Sequence, residues 1–226
     1  FDTMWMIWQQ SGAQIFDRNG RPDLTNPEFR KFILKWRRWE EMGVFAEWNW
    51  GNFSDLMKNG TYASYIAPDW WVFQVNAAAE EGRYRFKARA LPLYTHGGPR
   101  TSSWGGTFLA IPKTASDPAR LKEIIEYLAY DREMLIEQYR TGGMIPVLRS
   151  TWDDPVFHKP DPRFGGQRLA ELQTALSWES PVINVGDGFW EAVEEFKNIY
   201  PEIQCGDLTV EEGLRRVQET VLRRIR

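Results

Sequence analysis

The chain has 226 residues, 42% hydrophobic and 26% charged, a balance that suits a folded protein and excludes a disordered or collagen-like one. With 28 Lys+Arg against 31 Asp+Glu the net charge is −3, which removes the electrostatic reason to expect nucleic acid as a partner. No apolar run approaches the ~18 residues of a membrane-spanning helix; one cysteine, Cys205, and two histidines, His96 and His158, make neither an internal disulfide nor a zinc set, so no metal or cofactor is expected.

In chain order, FDTMWMIWQQSG at the start has neither initiator Met nor signal-peptide pattern, and the chain reads as a fragment or processed product. Asn26-Pro27-Glu28 caps a helix in which Phe29, Phe32, Ile33, Trp36 and Trp39 recur at helical spacing up to Gly43. A short helix over 54–59 stops at Gly60, and 61–66 is a β-prone run. Asp69 can cap a helix through Trp70, Trp71, Phe73 and Val75 that ends at Gly82, and 84–91 alternates like a strand. Turn residues at 94–99 lead into 104–111, a glycine-opened buried strand.

Asp117-Pro118 starts a helix carrying Leu121, Ile124, Ile125 and Leu128; Asp131 starts another, to about Tyr139, before Gly142-Gly143. Ile145-Pro146-Val147 is extended, 153–166 is a proline-rich loop, and helices over about 167–176, 187–199 and 209–226 close the chain, the last with a capping-box spacing from Thr209 to Glu212. Strands interspersed with helices indicate an α/β fold.

No GxSxG, HExxH, Walker loop or GxGxxG occurs. Glu40-Glu41 and Glu194-Glu195 read as solvated helix faces, and the arginines at 215, 216, 223, 224 and 226 as cations near a helix C-terminus. Glu47 and Asp187 lie in loops beside tryptophans, where a carboxylate can accept hydrogen bonds from hydroxyls. The chain holds 12 tryptophans. Trp36 and Trp39 fall on an apolar stripe and read as core, whereas Trp5, Trp8, Trp48, Trp50, Trp70, Trp104 and Trp190 sit at element starts or in loops, where a ring can serve as a ligand platform. Aromatic faces interleaved with Asp, Glu, Asn and Gly fit a carbohydrate, whose C–H faces pack on rings while its hydroxyls need polar partners. A sugar receptor, a glycoside-active enzyme using such acids as Glu47 and Asp187, and a carbohydrate-binding module all remain open on these residues.

The ordered segments Gly20-Arg21-Pro22-Asp23-Leu24-Thr25-Asn26-Pro27-Glu28, Met57-Lys58-Asn59-Gly60-Thr61-Tyr62-Ala63, Pro68-Asp69-Trp70, Ala90-Leu91-Pro92, 104–112, Gly143-Met144-Ile145-Pro146-Val147 and Phe189-Trp190 resemble the extracellular solute-binding proteins of family 1. These are sugar-binding receptors of bacterial ABC importers related to the maltose-binding protein. The resemblance implies a non-enzymatic, extracytoplasmic receptor of the class II periplasmic-binding-protein fold, with a carbohydrate ligand and an ABC permease as partners. It implies membrane association only through that permease or through a lipid anchor on a missing N-terminus. It further implies that most of the N-terminal lobe is absent, that 1–108 and 150–226 form the second lobe, and that 109–149 returns to the first, with hinge crossings at either end. Trp70 and Trp190 match positions whose rings stack on sugar, Gly105-Gly106 matches a backbone that approaches ligand closely, and Trp5 lies in a region that contributes aromatics; Trp104, Asp69, Glu47 and Asp187 join them from local context.

Overall fold

The computed structural model describes residues 1–47, 49, 51–81 and 84–225, so Trp48, Trp50, the expected helix stop at Gly82 and Arg226 lie outside the described residues. The helices are α1 (Asp2–Ser11), α2 (Pro27–Glu41), α3 (Phe53–Lys58), α4 (Val72–Glu81), α5 (Pro118–Tyr130), α6 (Arg132–Gly142), α7 (Leu169–Ser177), α8 (Phe189–Cys205) and α9 (Val210–Arg224). None among the described residues is long and apolar enough to cross a membrane. The chain divides into two compact units: unit 1 is Phe1–Glu47, Pro92–Ser103 and Ser180–Arg226, and unit 2 is Trp48–Leu91 and Trp104–Glu179.

In unit 1, α2 starts where its cap signal lies. The Asn26 side chain accepts from the Phe29 N–H at 2.9 Å and Pro27 takes the first turn, so Phe29, Phe32, Ile33 and Trp36 face the core; such a cap stabilises by about 1 kcal/mol. The reciprocal Thr209–Glu212 box opens α9 in the same way. Helix α8 continues through Pro201 beyond the expected end at Ile199, because the turn that proline weakens buries Tyr200 and Ile203. Helix α1 lacks the one-sided pattern of a surface helix: Met4, Trp5, Met6, Ile7 and Trp8 are all buried, so the loop context expected for Trp5 and Trp8 is replaced by a helix enclosed on every side.

Two glutamines end that run and are also buried. Gln9 donates to the Ser103 carbonyl at 2.8 Å, and Gln10 donates to the Pro92 and Pro99 carbonyls at 2.6 and 3.0 Å, so one turn of α1 ties down the whole 92–103 loop. A second loop is held by Asn184, whose N–H donates to Gln14 Oε1 at 2.6 Å and whose side chain donates to the Phe16 carbonyl at 3.0 Å. Beside it, Gly186 rests against the backbone of Gly20: a Cβ at 186 would fall 2.6 Å from the Gly20 carbonyl carbon and 2.8 Å from its Cα.

Glu40 is not the solvated acid expected. It accepts from Trp36 Nε1 at 2.9 Å, the Tyr200 hydroxyl at 2.6 Å and Gln204 Nε2 at 3.1 Å, joining α2 to α8. Burial first, then the bond to Glu40, pushes the Tyr200 pKa well up. Glu40→Ala is therefore expected to lower unfolding free energy by about 1.5 kcal/mol in urea titrations, the cost of leaving a half-buried hydroxyl and indole N–H without their acceptor. Glu195 likewise departs from a free helix face, pairing with Arg224 at 3.2 Å.

Unit 2 is built around Phe53, Met57, Trp71, Val72, Val75, Ala78, Phe164 and Leu169, with a smaller cluster of Ile136, Phe157 and Ala170. Asp117 and Asp131 cap α5 and α6 as their positions predict, accepting from the N–H groups of Arg120 and Met134 at 2.9 and 2.8 Å. Asp69 does not cap: it opens a 3₁₀ turn, Asp69–Trp71, and its carboxylate accepts from the Ile145 N–H at 3.0 Å.

The strands expected over 61–66, 84–91 and 104–111 are absent. Among the described residues the β pairing consists of isolated bridges, Phe16 with Pro22 and Asp161 with Gln167. No ladder among the described residues joins these segments to one another or to the rest of the chain. Ala88 shows the substitute: Gln167 accepts from its N–H at 2.8 Å and donates to its carbonyl at 2.9 Å, standing in for a strand. Nor is 104–111 buried, since Phe108 is 96% exposed. The α/β expectation is thus met in its helices and not in its sheet.

Candidate functional site

Each unit presents an aromatic surface built from tryptophans expected from the sequence. In unit 1, Gly188 adopts φ 79° and opens α8, so that the consecutive residues Phe189 and Trp190 diverge on the helix. Phe189 turns into the core at 5% exposure, while Trp190 stays 66% exposed. Trp190 is nevertheless fixed. Its ring stacks on Trp5 with centroids 5.9 Å apart and planes 15° apart, and Trp5 is braced edge-on by Trp8 at 4.9 Å. One face of the Trp190 indole is therefore backed by a buried ring, and the high exposure leaves the other to solvent.

In unit 2, the turn at Asp69 puts Trp70 half out and Trp71 fully in, with Trp71 edge-on to Phe53 at 4.8 Å. Trp104 stacks on Trp71 at 5.6 Å and lies 5.3 Å from Trp70, tilted by 32°. A half-buried shelf of two indoles on a buried third results. Gly105, at φ 89°, and Gly106 follow directly, and no atom stands within 4 Å of where either would carry a Cβ, so there is room on that side of the chain.

Among the residues expected from the sequence, Trp5 and Trp190 meet in unit 1, and Trp70, Trp104, Gly105 and Gly106 adjoin in unit 2 near Asp69, whose carboxylate holds the 143–147 backbone rather than lying idle. Glu47 and Asp187 are exposed in unit 1. Sequence reading missed the support layer of Trp8, Trp71 and Phe189, for which no local signal exists. It also missed Trp178, 65% exposed with the Arg149 guanidinium 3.5 Å over its ring. No cluster of three or more His, Cys, Asp or Glu near enough to hold a metal ion occurs among the described residues. Flat, backed indoles beside uncrowded glycines are suited to binding apolar faces of a polar solute, and an indole supplies no nucleophile.

The sequence profile of the bacterial extracellular solute-binding proteins matches residues 2–163. The chain belongs to that family. It is 24% identical over 152 residues to the arabinooligosaccharide-binding protein of Bacillus subtilis (strain 168), an alignment covering 65% of this chain and 35% of that one. A solved extracellular solute-binding protein of family 1 matches 98% of the chain and 58% of its own length, with TM-score 0.73 and 16% identity. The same coverage and TM-score, at 18% identity, hold for the ABC transporter associated binding protein of B. animalis subsp. lactis Bl-04, solved in complex with beta-1,6-galactobiose. The chain therefore has part of the class II solute-binding fold and spans about a third of the curated relative and just over half of these structures.

Proposed function

We propose that this chain is part of an extracytoplasmic receptor that captures a sugar or oligosaccharide and hands it to the permease of an ABC importer. The observation that carries the reading is Trp190: an indole 66% exposed yet held by a near-parallel buried partner. Exposing so much apolar ring has no benefit for folding, whereas a rigid flat face gains about 0.5–1.5 kcal/mol per stacked partner beyond its area term. Trp70 and Trp104 beside Gly105 and Gly106 in unit 2 present the same kind of surface, with Asp69 as a supporting group there and Trp5, Glu47 and Asp187 as supporting groups in unit 1. The names of the relatives, which describe proteins that bind arabino-oligosaccharide or carry a bound galactobiose, support a saccharide as the solute. Ligand binding favours a closed arrangement of two lobes through differential affinity, and no bond is made or broken.

Within such a receptor, residues 1–108 and 150–226 belong to the second lobe and 109–149 to the first. The α5 helix supports this division. It buries no residue and leaves Leu121, Ile124, Tyr127 and Tyr130 between 37% and 64% exposed, an apolar stripe of the kind that lies against other protein.

Arabino-oligosaccharides and β-1,6-galactobiose should raise the melting temperature of the chain, since a ligand at a hundredfold its Kd adds about 2.7 kcal/mol to native-state stability. Trp190→Ala is expected to weaken calorimetric binding about tenfold, with Trp190→Phe intermediate, as removing a stacked ring implies. Release of reducing sugar from a glycoside, or affinities indifferent to both Trp190→Ala and Trp104→Ala, would overturn the proposal.

A further inference from the structure

Unit 1 holds a cleft of about 300 Å³ at the C-terminal end of α1, walled by Gly12 and Ser11, by the outer face of α2, and by Tyr94 and Thr95. That volume is at the lower end of small-molecule sites. Trp5 and Gly12 are seven residues apart on α1 and its cap, so the cleft is about 10 Å along the axis from the Trp5–Trp190 platform, at 1.5 Å per residue. Its loop wall is rigid because Gln10 bonds the carbonyls of Pro92 and Pro99 on either side of Tyr94. Its floor is Phe32, 1% exposed.

The charges on the α2 wall select a ligand. Lys31 and Lys35 are one helical turn apart and both line the cleft. Lys31 is already paired with Glu28 at 2.7 Å. Lys35 is not: its ammonium sits 3.9 Å from the Tyr94 ring centroid and 5.1 Å from that of Trp39, and no carboxylate pairs with it among the described residues. The rings attract the cation and fix its place, but a quadrupole does not neutralise it. The cleft therefore carries one fixed, uncompensated positive charge, with Glu28, Thr95 and the Tyr94 hydroxyl around it to meet hydroxyl groups.

We infer that this cleft is a binding site for a small hydroxylated monocarboxylate of monosaccharide size, its carboxylate on Lys35 and its hydroxyls toward Glu28 and Thr95. A neutral sugar leaves Lys35 uncompensated, and a dianion exceeds the single net charge. This inference does not rest on the proposed receptor function and fails or stands apart from it.

Calorimetry of the chain at low ionic strength with D-glucuronate, D-gluconate and D-glucose tests it. Saturable binding of the two acids but not of glucose is expected, weakened about tenfold in Lys35→Met, restored in Lys35→Arg and unchanged in Trp190→Ala. Because Lys35 is exposed, the Met variant should fold, and its melting temperature checks that. The inference is overturned if neither acid binds, if glucose binds equally well, if Lys35→Met binds as tightly as the parent, or if Trp190→Ala abolishes the signal and so assigns it to the other platform.

Discussion

Gly186→Ala is expected to lower the unfolding free energy by about 3 kcal/mol, the upper part of the range for overpacking. The added methyl has nowhere to go. It meets backbone, the carbonyl carbon and Cα of Gly20 at 2.6 and 2.8 Å, rather than the mobile end of a side chain. Relief requires the 180–187 loop to lift from the 12–26 loop, which breaks the Asn184 bonds to Gln14 and Phe16. Gly106→Ala is the control, since nothing lies within 4 Å of its Cβ position. Urea titrations should separate the two variants clearly; equal midpoints would show that the loops have another way to adjust.

Gln10→Leu should cost about 2 kcal/mol despite its nearly conserved volume. The leucine keeps the packing of a residue that is 2% exposed but loses both carbonyl partners, at Pro92 and Pro99. Leaving such acceptors without donors is what makes the change expensive, more than the bonds themselves. The distinguishing readout is local: amide hydrogens of 92–103 should exchange faster in Gln10→Leu, while those of α9 follow only the global loss. Gln9→Leu, which removes the single bond to Ser103, should have a smaller effect. Unchanged exchange across 92–103 would refute the anchoring role.

What could be read in advance followed locality. Caps at Asn26, Asp117, Asp131 and Thr209 are contacts within one helical turn, so residue types at fixed spacing suffice to place α2, α5, α6 and α9. The expected strands failed for the opposite reason: β-prone residues at 61–66 or 104–111 specify an extended chain, but a ladder also needs a neighbour from elsewhere. Helix α1 escaped notice because its buried run from Met4 to Gln10 has no polar face and hence no period to detect. At the site, the exposed tryptophans were legible as rings at element starts. Their backing was not, because the choice of Trp5 behind Trp190, or Trp71 behind Trp104, is made by packing between residues far apart in sequence.

The pairing of Trp190 with Trp5 has one more consequence. A lone surface indole samples several side-chain torsions, and a guest that flattens against it must freeze them. Here that ordering has already taken place during folding, in the contact with an immobile neighbour. Less conformational freedom is then left to lose when a solute arrives, so a weakly adhesive surface can hold its guest more tightly than its contact area alone suggests.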